Sequence, residues 1–476
     1  MSDSPVILAL DSSTTATKAI AFDLDGHAVA EARRDYPRNT PRPGWQEQDA
    51  TDWWRAAAEA IREVTGKLEG SGREILSLCM THQRESFVLL DEHDAPIRPA
   101  VLWLDTRAAD QIARFGSDQV HALSGKPPST TPSLYKLIWL AEHEPQAMRA
   151  ARRVVEVHAY LTHELTGQWV TSWATADPMA VLDMSSFEYS EELLALAGLG
   201  LDQMAELRPP GSVMATVTDD VADSLGLPRD LPVVAGAGDG QSAGLGANVT
   251  TASRAYLSLG TSMTMGIHSE QYLYSRAFRT LSSPIAGSYT LEALLSSGGL
   301  CIAWFRDRLS GMDPADGPIE PRLEELAAGV PAGARGVQFL PYLTSAETPY
   351  WDANARGSFV GFSDTHGVPE LYRALLEGLA LEERVSLKRV EKATGTPVER
   401  LVVMGGGTKS PLFNQILADA LQRPIDVCAE TGRSPSAPCA DPDRRTRSTS
   451  REYRRACAQG SLRGCARGRG RRGGRC

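Results

Sequence analysis

Long apolar runs are missing from this 476-residue chain. No window approaches the roughly 18 uninterrupted apolar residues of a membrane-spanning helix, so no membrane partner is expected. The opening Met1–Pro5 carries no basic n-region and no extended apolar segment, which points away from a secretory leader and toward a cytoplasmic location. Cysteine is scarce too. Only Cys79, Cys301 and Cys428 precede residue 431, without metal-ligand spacing, and they read as reduced thiols. A net positive charge is lacking over the same stretch, which carries a net −20 and is a poor match for nucleic acid. Lysine is absent from residues 431–476, where 13 Arg meet only three acids, Asp441, Asp443 and Glu452. Four more cysteines, Cys439, Cys457, Cys465 and Cys476, crowd into that tail.

What remains is an ordinary globular composition, 42% hydrophobic and 23% charged, in a chain too long for one hydrophobic core. Val6–Leu10 and Lys18–Phe22 read as strands, with Asp23–Gly26 as the turn to a third over His27–Tyr36. Asp49–Asp52 caps a helix of about Trp53–Thr65 whose apolar face is expected at Trp54, Ala57, Ala58 and Ile61. Ile75–Met80, Ser86–Leu90 and Ala100–Leu104 continue the strand pattern, giving an α/β domain with a mixed sheet. The pattern restarts downstream with Val233–Ala235 and Ala255–Ser258, a helix near Leu371–Thr394, the strand Leu401–Met404 and a helix over Pro411–Leu421. Two domains follow, 1–247 and 248–430, with the tail 431–476 standing apart.

Five segments could carry chemistry. Asp11–Lys18 is a Ser/Thr-rich turn between strands; its hydroxyls and N–H groups can surround phosphate oxygens, although a plain polar hairpin uses the same residues. Ser258–Met263 is a second such turn. Met404–Ser410 places three glycines and Thr408 between a strand and a helix N-terminus, where a backbone can approach a phosphate or a flat ligand. It is neither a Walker A sequence nor a dinucleotide fingerprint. Ala235–Ser242 sets Asp239 among glycines at a strand end; a turn residue is one reading, a base for a hydroxyl attacking a γ-phosphate the other. Thr81–Ser86 with Trp103–Arg107 offers polar strand ends and an aromatic face for a polyhydroxylated ligand, or else a surface ion-pair cluster.

In order, these segments resemble the FGGY family of carbohydrate kinases, over about Val6–Val427. Leu8–Lys18 is similar to the family's first phosphate motif, Leu259–Ser262 to the second, and Gly238–Ala243 to the stretch bearing the catalytic Asp. Gly44–Asp49, Leu340–Leu343, Thr348–Asp352, Ala355–Phe359 and Gly405–Asp419 match further family motifs. The resemblance implies two actin-like (ribonuclease-H-like) ATPase domains flanking a cleft, with sugar mostly on the first and ATP on the second. Asp239 is then the catalytic base; His82, Gln83, Arg84, Glu85, Trp103, Asp105 and Gln241 contact substrate. Asp11, Thr14, Thr15, Lys18, Gly260, Thr261, Gly299, Gly406, Gly407 and Thr408 serve ATP, and Asp11 holds Mg²⁺ through water. A homodimer is the expected assembly. A xylulose-like ketose is favoured by Asp239-Gly240-Gln241, while Gln83-Arg84-Glu85 with Trp103 resembles the polyol site of glycerol kinases and keeps glycerol, other polyols and gluconate in view. An actin-like protein without transfer activity would share the fold.

The tail departs from the family, which continues with an alanine-rich helix. A disordered basic tail is one reading. A shift of reading frame near Thr431–Arg433 is the other, since Arg433–Cys439 read from the third base of each codon permits Leu-Ala-Leu-Gly-Ala-Leu.

Overall fold

The computed structural model describes residues 4–428. The tail 431–476, and with it the expected frame shift, lies outside the described residues. The chain divides into two compact units. Of the described residues, one comprises those up to Ser242 together with Ser282–Gly287; the other comprises Ala243–Leu281 and Ser288–Cys428.

The first unit is built on a six-stranded mixed sheet. Its strands are β1 (Val6–Ser12), β2 (Ala16–Asp23), β3 (Ala28–Asp35), β4 (Ile75–His82), β5 (Val213–Thr216) and β6 (Pro232–Gly238), in the order β5-β6-β4-β1-β2-β3. β1 pairs antiparallel with β2 and parallel with β4, and β4 pairs parallel with β6. The apolar alternation of Val6, Leu8 and Leu10, each at most 1% exposed, fixes which face of β1 meets the core. Helix α1 (Thr51–Leu68) covers that core. The helix begins at Thr51, ahead of the expected Trp53, and its N-cap, Ala50, carries no side-chain cap; the Asp49 carboxylate accepts from the Thr51 N–H at 2.9 Å just before it. The buried face is centred on Trp53 rather than Trp54: Trp53 is fully buried, donates to the Gln48 side chain at 2.6 Å and meets Tyr160 edge-on.

The expected strands after β4 form as Phe87–Leu90 and Ala100–Val101, outside the main sheet. With Glu47–Gln48 and Arg153–Glu156 they make a separate four-stranded sheet. Glu85 marks the break. Its φ of 60° turns the chain out of the β4 direction at a position where a non-glycine residue rarely goes.

The second unit follows the same plan. After α2 (Asp239–Gly246) come β7 (Arg254–Leu259), β8 (Met263–Ser269), β9 (Arg279–Ser282), β10 (Tyr289–Leu295), α3 (Gly298–Arg308), α4 (Val368–Thr394), β11 (Arg400–Met404), α5 (Pro411–Leu421) and β12 (Ile425–Val427). The sheet order is β9-β10-β8-β7-β11-β12, with β7 antiparallel to β8 and parallel to β11. In both units an antiparallel hairpin lies beside parallel strands, as expected of ribonuclease-H-like units. Helix α4 begins three residues ahead of the expected Leu371, because Pro369 suits a first turn and the Glu370 carboxylate accepts from the Gly367 N–H at 3.0 Å. Cys79 and Cys301 are thiols, as expected, whereas Cys428 is disulfide-bonded.

A buried ion pair ties the sheet of this unit together. Glu292 on β10 accepts from Arg279 Nε on β9 at 2.6 Å and from the Tyr256 hydroxyl on β7 at 3.1 Å. Gly266 on β8 leaves the space the Tyr256 ring occupies; a Cβ there would lie 2.1 Å from the ring. Replacing Glu292 by Ala removes the carboxylate paired with a buried guanidinium and is expected to cost about 3–5 kcal/mol in urea unfolding. The double substitution Arg279→Met/Glu292→Met should cost far less, because neither charge then stays buried alone.

Candidate active site

The parallel strands of the first unit bring its chemistry to one edge. Ser12 on β1 is in register with His82 on β4, and His82 with Gly238 on β6, so the Ser/Thr turn, Gln83–Arg84 and Asp239 all follow carboxyl ends of adjacent strands. Such ends are where open α/β sheets bind ligands.

The turn between β1 and β2 is held from below. Ser12, Thr17 and Tyr36 hydroxyls interlink at 3.2–3.5 Å, and the Tyr36 hydroxyl donates to the Ser13 carbonyl at 2.5 Å. Burial pushes the Tyr36 phenol up to about 12. Thr14 is half-buried, with its hydroxyl oxygen accepting from the Trp103 indole at 2.9 Å. That leaves the Thr14 hydroxyl hydrogen for another acceptor. Thr15 is exposed. Asp11 is buried in β1 opposite Lys18 on β2, so Lys18 lies beyond the turn rather than in it. Gln48, which sequence reasoning passed over, ties these parts together. Its Nε2 donates to the Thr14 and Pro37 carbonyls at 3.1 and 2.9 Å, and its Oε1 accepts from Trp53 and Gln83. The only hint was its place in the Gly44–Asp49 motif.

Asp239 opens α2. Its Oδ1 lies 2.9 Å from Arg84 Nε and accepts from the Gly240 N–H at 2.7 Å; the side chain is 42% exposed. Gly238, just before it, has no room for a Cβ, which would come within 2.4–2.5 Å of Gln241 Oε1 and the Arg84 stem. Gln83 is buried and accepts from the Ser86 hydroxyl, which in turn accepts from the Trp103 N–H. His82 is also fully buried, with Nδ1 on the Gln83 carbonyl oxygen at 2.6 Å, and lies 6.0 Å from the His158 ring.

Two expected substrate residues are placed differently. Asp105 is fully buried, and its oxygens accept from the Gln46 N–H and from Arg107. Arg107 also pairs with Glu47 and covers the Trp45 ring at 3.8 Å, so Asp105 belongs to a frame behind the site. Gln241 is likewise fully buried, donating to the Ala174 and Ser282 carbonyls at 2.9 and 3.2 Å. A buried lysine, unforeseen, lies under Trp103. Lys136 Nζ donates to the carbonyls of Thr131 at 2.7 Å and Trp103 at 3.2 Å. Burial lowers its pKa to about 8 despite the nearby Glu85 and Asp105 charges.

In the second unit, Gly260–Ser262 and Gly405–Ser410 follow the carboxyl ends of the adjacent parallel strands β7 and β11. Gly299 at the start of α3 donates its N–H to the Gly260 carbonyl at 2.9 Å, and a Cβ on Gly299 would sit 2.4 Å from that oxygen. Gly405 takes a φ of 93° with its α-carbon against the Leu259 carbonyl; Gly407 packs on the Leu259 side chain. Gly260, Thr261 and Gly406 are exposed at this edge. Thr408, expected to face nucleotide, is 6% exposed and spends its hydroxyl hydrogen on the Gly405 carbonyl, shaping the turn.

A family model for the N-terminal domain of FGGY carbohydrate kinases matches residues 6–246, and the C-terminal-domain model matches 255–435. The chain belongs to the FGGY family of carbohydrate kinases. Among its relatives, xylulose kinase of Escherichia coli is 29% identical over 428 residues, covering 88% of this chain and 85% of that protein. Glycerol kinase of Thermococcus onnurineus is 28% identical, covering 88% and 85%. The crystal structure of ligand-bound xylulose kinase from Lactobacillus acidophilus superposes with a TM-score of 0.85 at 27% identity, covering 91% and 88%. This chain is accordingly a carbohydrate kinase, and kinases of this family use ATP. Among the described residues no helix is long and apolar enough to cross a membrane.

Two measurements probe this kinase's frame. Between about pH 8 and 10.5 the unfolded chain keeps a proton on Lys136 that the folded chain has released, so this group's contribution to stability rises with pH. Lys136→Met should flatten that part of the stability–pH curve relative to the parent chain. In the nucleotide-side turn, Gly405→Ala is expected to cost about 1–3 kcal/mol through its positive φ. Gly406→Ala, with nothing within 4 Å of the new methyl, should stay within about 0.5 kcal/mol of the parent in thermal unfolding.

Proposed function

We propose that this kinase transfers the γ-phosphoryl group of ATP to a hydroxyl of a small xylulose-like ketose, with Asp239 as general base. The observation that carries this reading is Asp239 itself. It is a half-exposed carboxylate at a strand end, aimed by Arg84 and fixed by its own helix start. In the reaction, Asp239 takes the proton of the acceptor hydroxyl, the hydroxyl oxygen bonds to the γ-phosphorus, and the bond to ADP breaks. Gln83, Arg84 and Trp103 supply donors and one apolar face for a polyhydroxylated acceptor.

Thr14, Thr15 and Thr261 would donate to phosphate oxygens, and Gly260, Gly299, Gly406 and Gly407 would let backbone approach the nucleotide. Among the described residues no cluster of three or more His, Cys, Asp or Glu could cage a metal. That suits Mg²⁺, which binds through one or two carboxylates, water and substrate phosphates. Asp11 would hold it through water, and the ion would offset charge on the phosphates. A cytoplasmic location belongs to the same reading.

The Asp239-Gly240-Gln241 run supports a ketose, as do the xylulose kinases among the relatives. A polyol such as glycerol is the second reading, favoured by Arg84-Glu85 beside Trp103. A coupled ADP-release assay over ketoses, polyols and sugar acids should give fastest turnover with D-xylulose or a close ketose. Asp239→Asn should lower kcat about 10²–10⁴-fold. Substrate-dependent turnover that survives this substitution would remove Asp239 from the role.

A further inference from the structure

A buried ion pair lies behind the catalytic edge of the first unit, in residues that no motif singled out. Asp177 is fully buried and Lys126 is 3% exposed. Lys126 Nζ donates to Asp177 Oδ2 at 3.2 Å, and the Ser282 N–H donates to the same oxygen at 2.5 Å. Asp177 Oδ1 lies 3.5 Å from Gln241 Nε2. The Ser282 peptide is therefore held from both ends: Asp177 takes its N–H, and Gln241 donates to its carbonyl.

These contacts settle which way the Gln241 amide points. Its Nε2 faces three acceptors, the Ala174 and Ser282 carbonyls and Asp177 Oδ1. Its Oε1 is thereby turned toward the α-carbon of Gly238, where the Arg84 stem also packs. Gly238 immediately precedes Asp239, and Arg84 is the residue that aims it. A path of direct contacts thus runs from Lys126 and Asp177 through Gln241 to the two residues that set the Asp239 carboxylate.

A buried pair of this kind is costly, and a well-packed apolar pair is often as stable or more so. Stability alone is a poor reason to bury it. Burial raises the Asp177 pKa to about 6, while the Lys126 and Arg84 charges act to lower it.

We infer that Asp177, neutralised by Lys126, is a positioning residue that orients Asp239 through Gln241 and the Ser282 peptide. The inference rests on Asp239 being the base.

The test measures kcat, KM for each substrate and thermal unfolding on the whole chain, with ATP and D-xylulose or whichever acceptor of the panel turns over fastest. Lys126→Met/Asp177→Leu removes both charges and the acceptor at similar volume. It should lower kcat about 10²-fold, the scale of a small misplacement, with KM for ATP within about twofold of the parent. Lys126→Met/Asp177→Asn keeps an acceptor for Ser282 and should recover about tenfold of that loss. Gln241→Met, which leaves the ion pair intact, should give the same selective fall in kcat even if the double variants fold poorly. Parental kcat in Gln241→Met or in a folded Lys126→Met/Asp177→Leu chain, beside an inactive Asp239→Asn, would overturn the positioning role alone. Equal losses in the Leu and Asn variants would overturn it too, since the acceptor would then be irrelevant. Turnover in Asp239→Asn would overturn the base, and this inference with it.

Discussion

The 2.9 Å contact between Arg84 Nε and Asp239 Oδ1 joins two strand ends that lie far apart in sequence. Arg84 follows β4 and Asp239 follows β6, and the pair meets because these strands run parallel, from Leu78–Val233 through a bulge between Val234 and Ala237 to His82–Gly238. A one-residue slip would turn each side chain to the other face of the sheet. The core beneath, from Leu8 and Leu10 to Trp53 and Ile61, therefore does more than stabilise: it holds the register that makes the contact possible. Around that contact the supporting residues form two groups. Gln48, Trp103 and Lys136 brace the Thr14 side, and Asp177 with Gln241 braces the Asp239 side.

The two units solve the same problem with different chemistry. Each places a hairpin beside parallel strands and collects its candidate residues at the carboxyl ends. In the first unit those ends carry charge and hydroxyls suited to a polar acceptor. In the second, Gly299, Gly405 and Gly407 pack so tightly on Gly260 and Leu259 that side chains are excluded at those three positions and backbone is presented instead. This division matches a reaction in which one substrate brings hydroxyl groups and the other brings phosphates.

Much of this was legible in the sequence because it is written locally. Strands such as Val6–Ser12 show as apolar runs, and the turns show as glycines and hydroxyls at their ends. Asp239 and Arg84 stood out by their neighbours. What the sequence hid were partners from distant segments. Asp105 looked like a ligand-facing acid until Gln46 and Arg107 took its oxygens, and Gln241 until Ala174 and Ser282 did the same. Trp54 was preferred over Trp53 because periodicity alone cannot see Gln48 and Tyr160 waiting for the indole. Lys126, Lys136 and Asp177 carry no local signal, since nothing in a single charged residue announces its burial.

The crowding at Gly238 has a meaning for how such an enzyme can change. The missing side chain is the space that the Arg84 stem and the Gln241 amide share. Position 238 is thus closed to every other amino acid while those two remain. An alteration of Arg84 would reopen that space and loosen the acid next door. Positions 84, 238 and 241 are thus coupled through one shared space, and a change at any one of them alters how the other two pack.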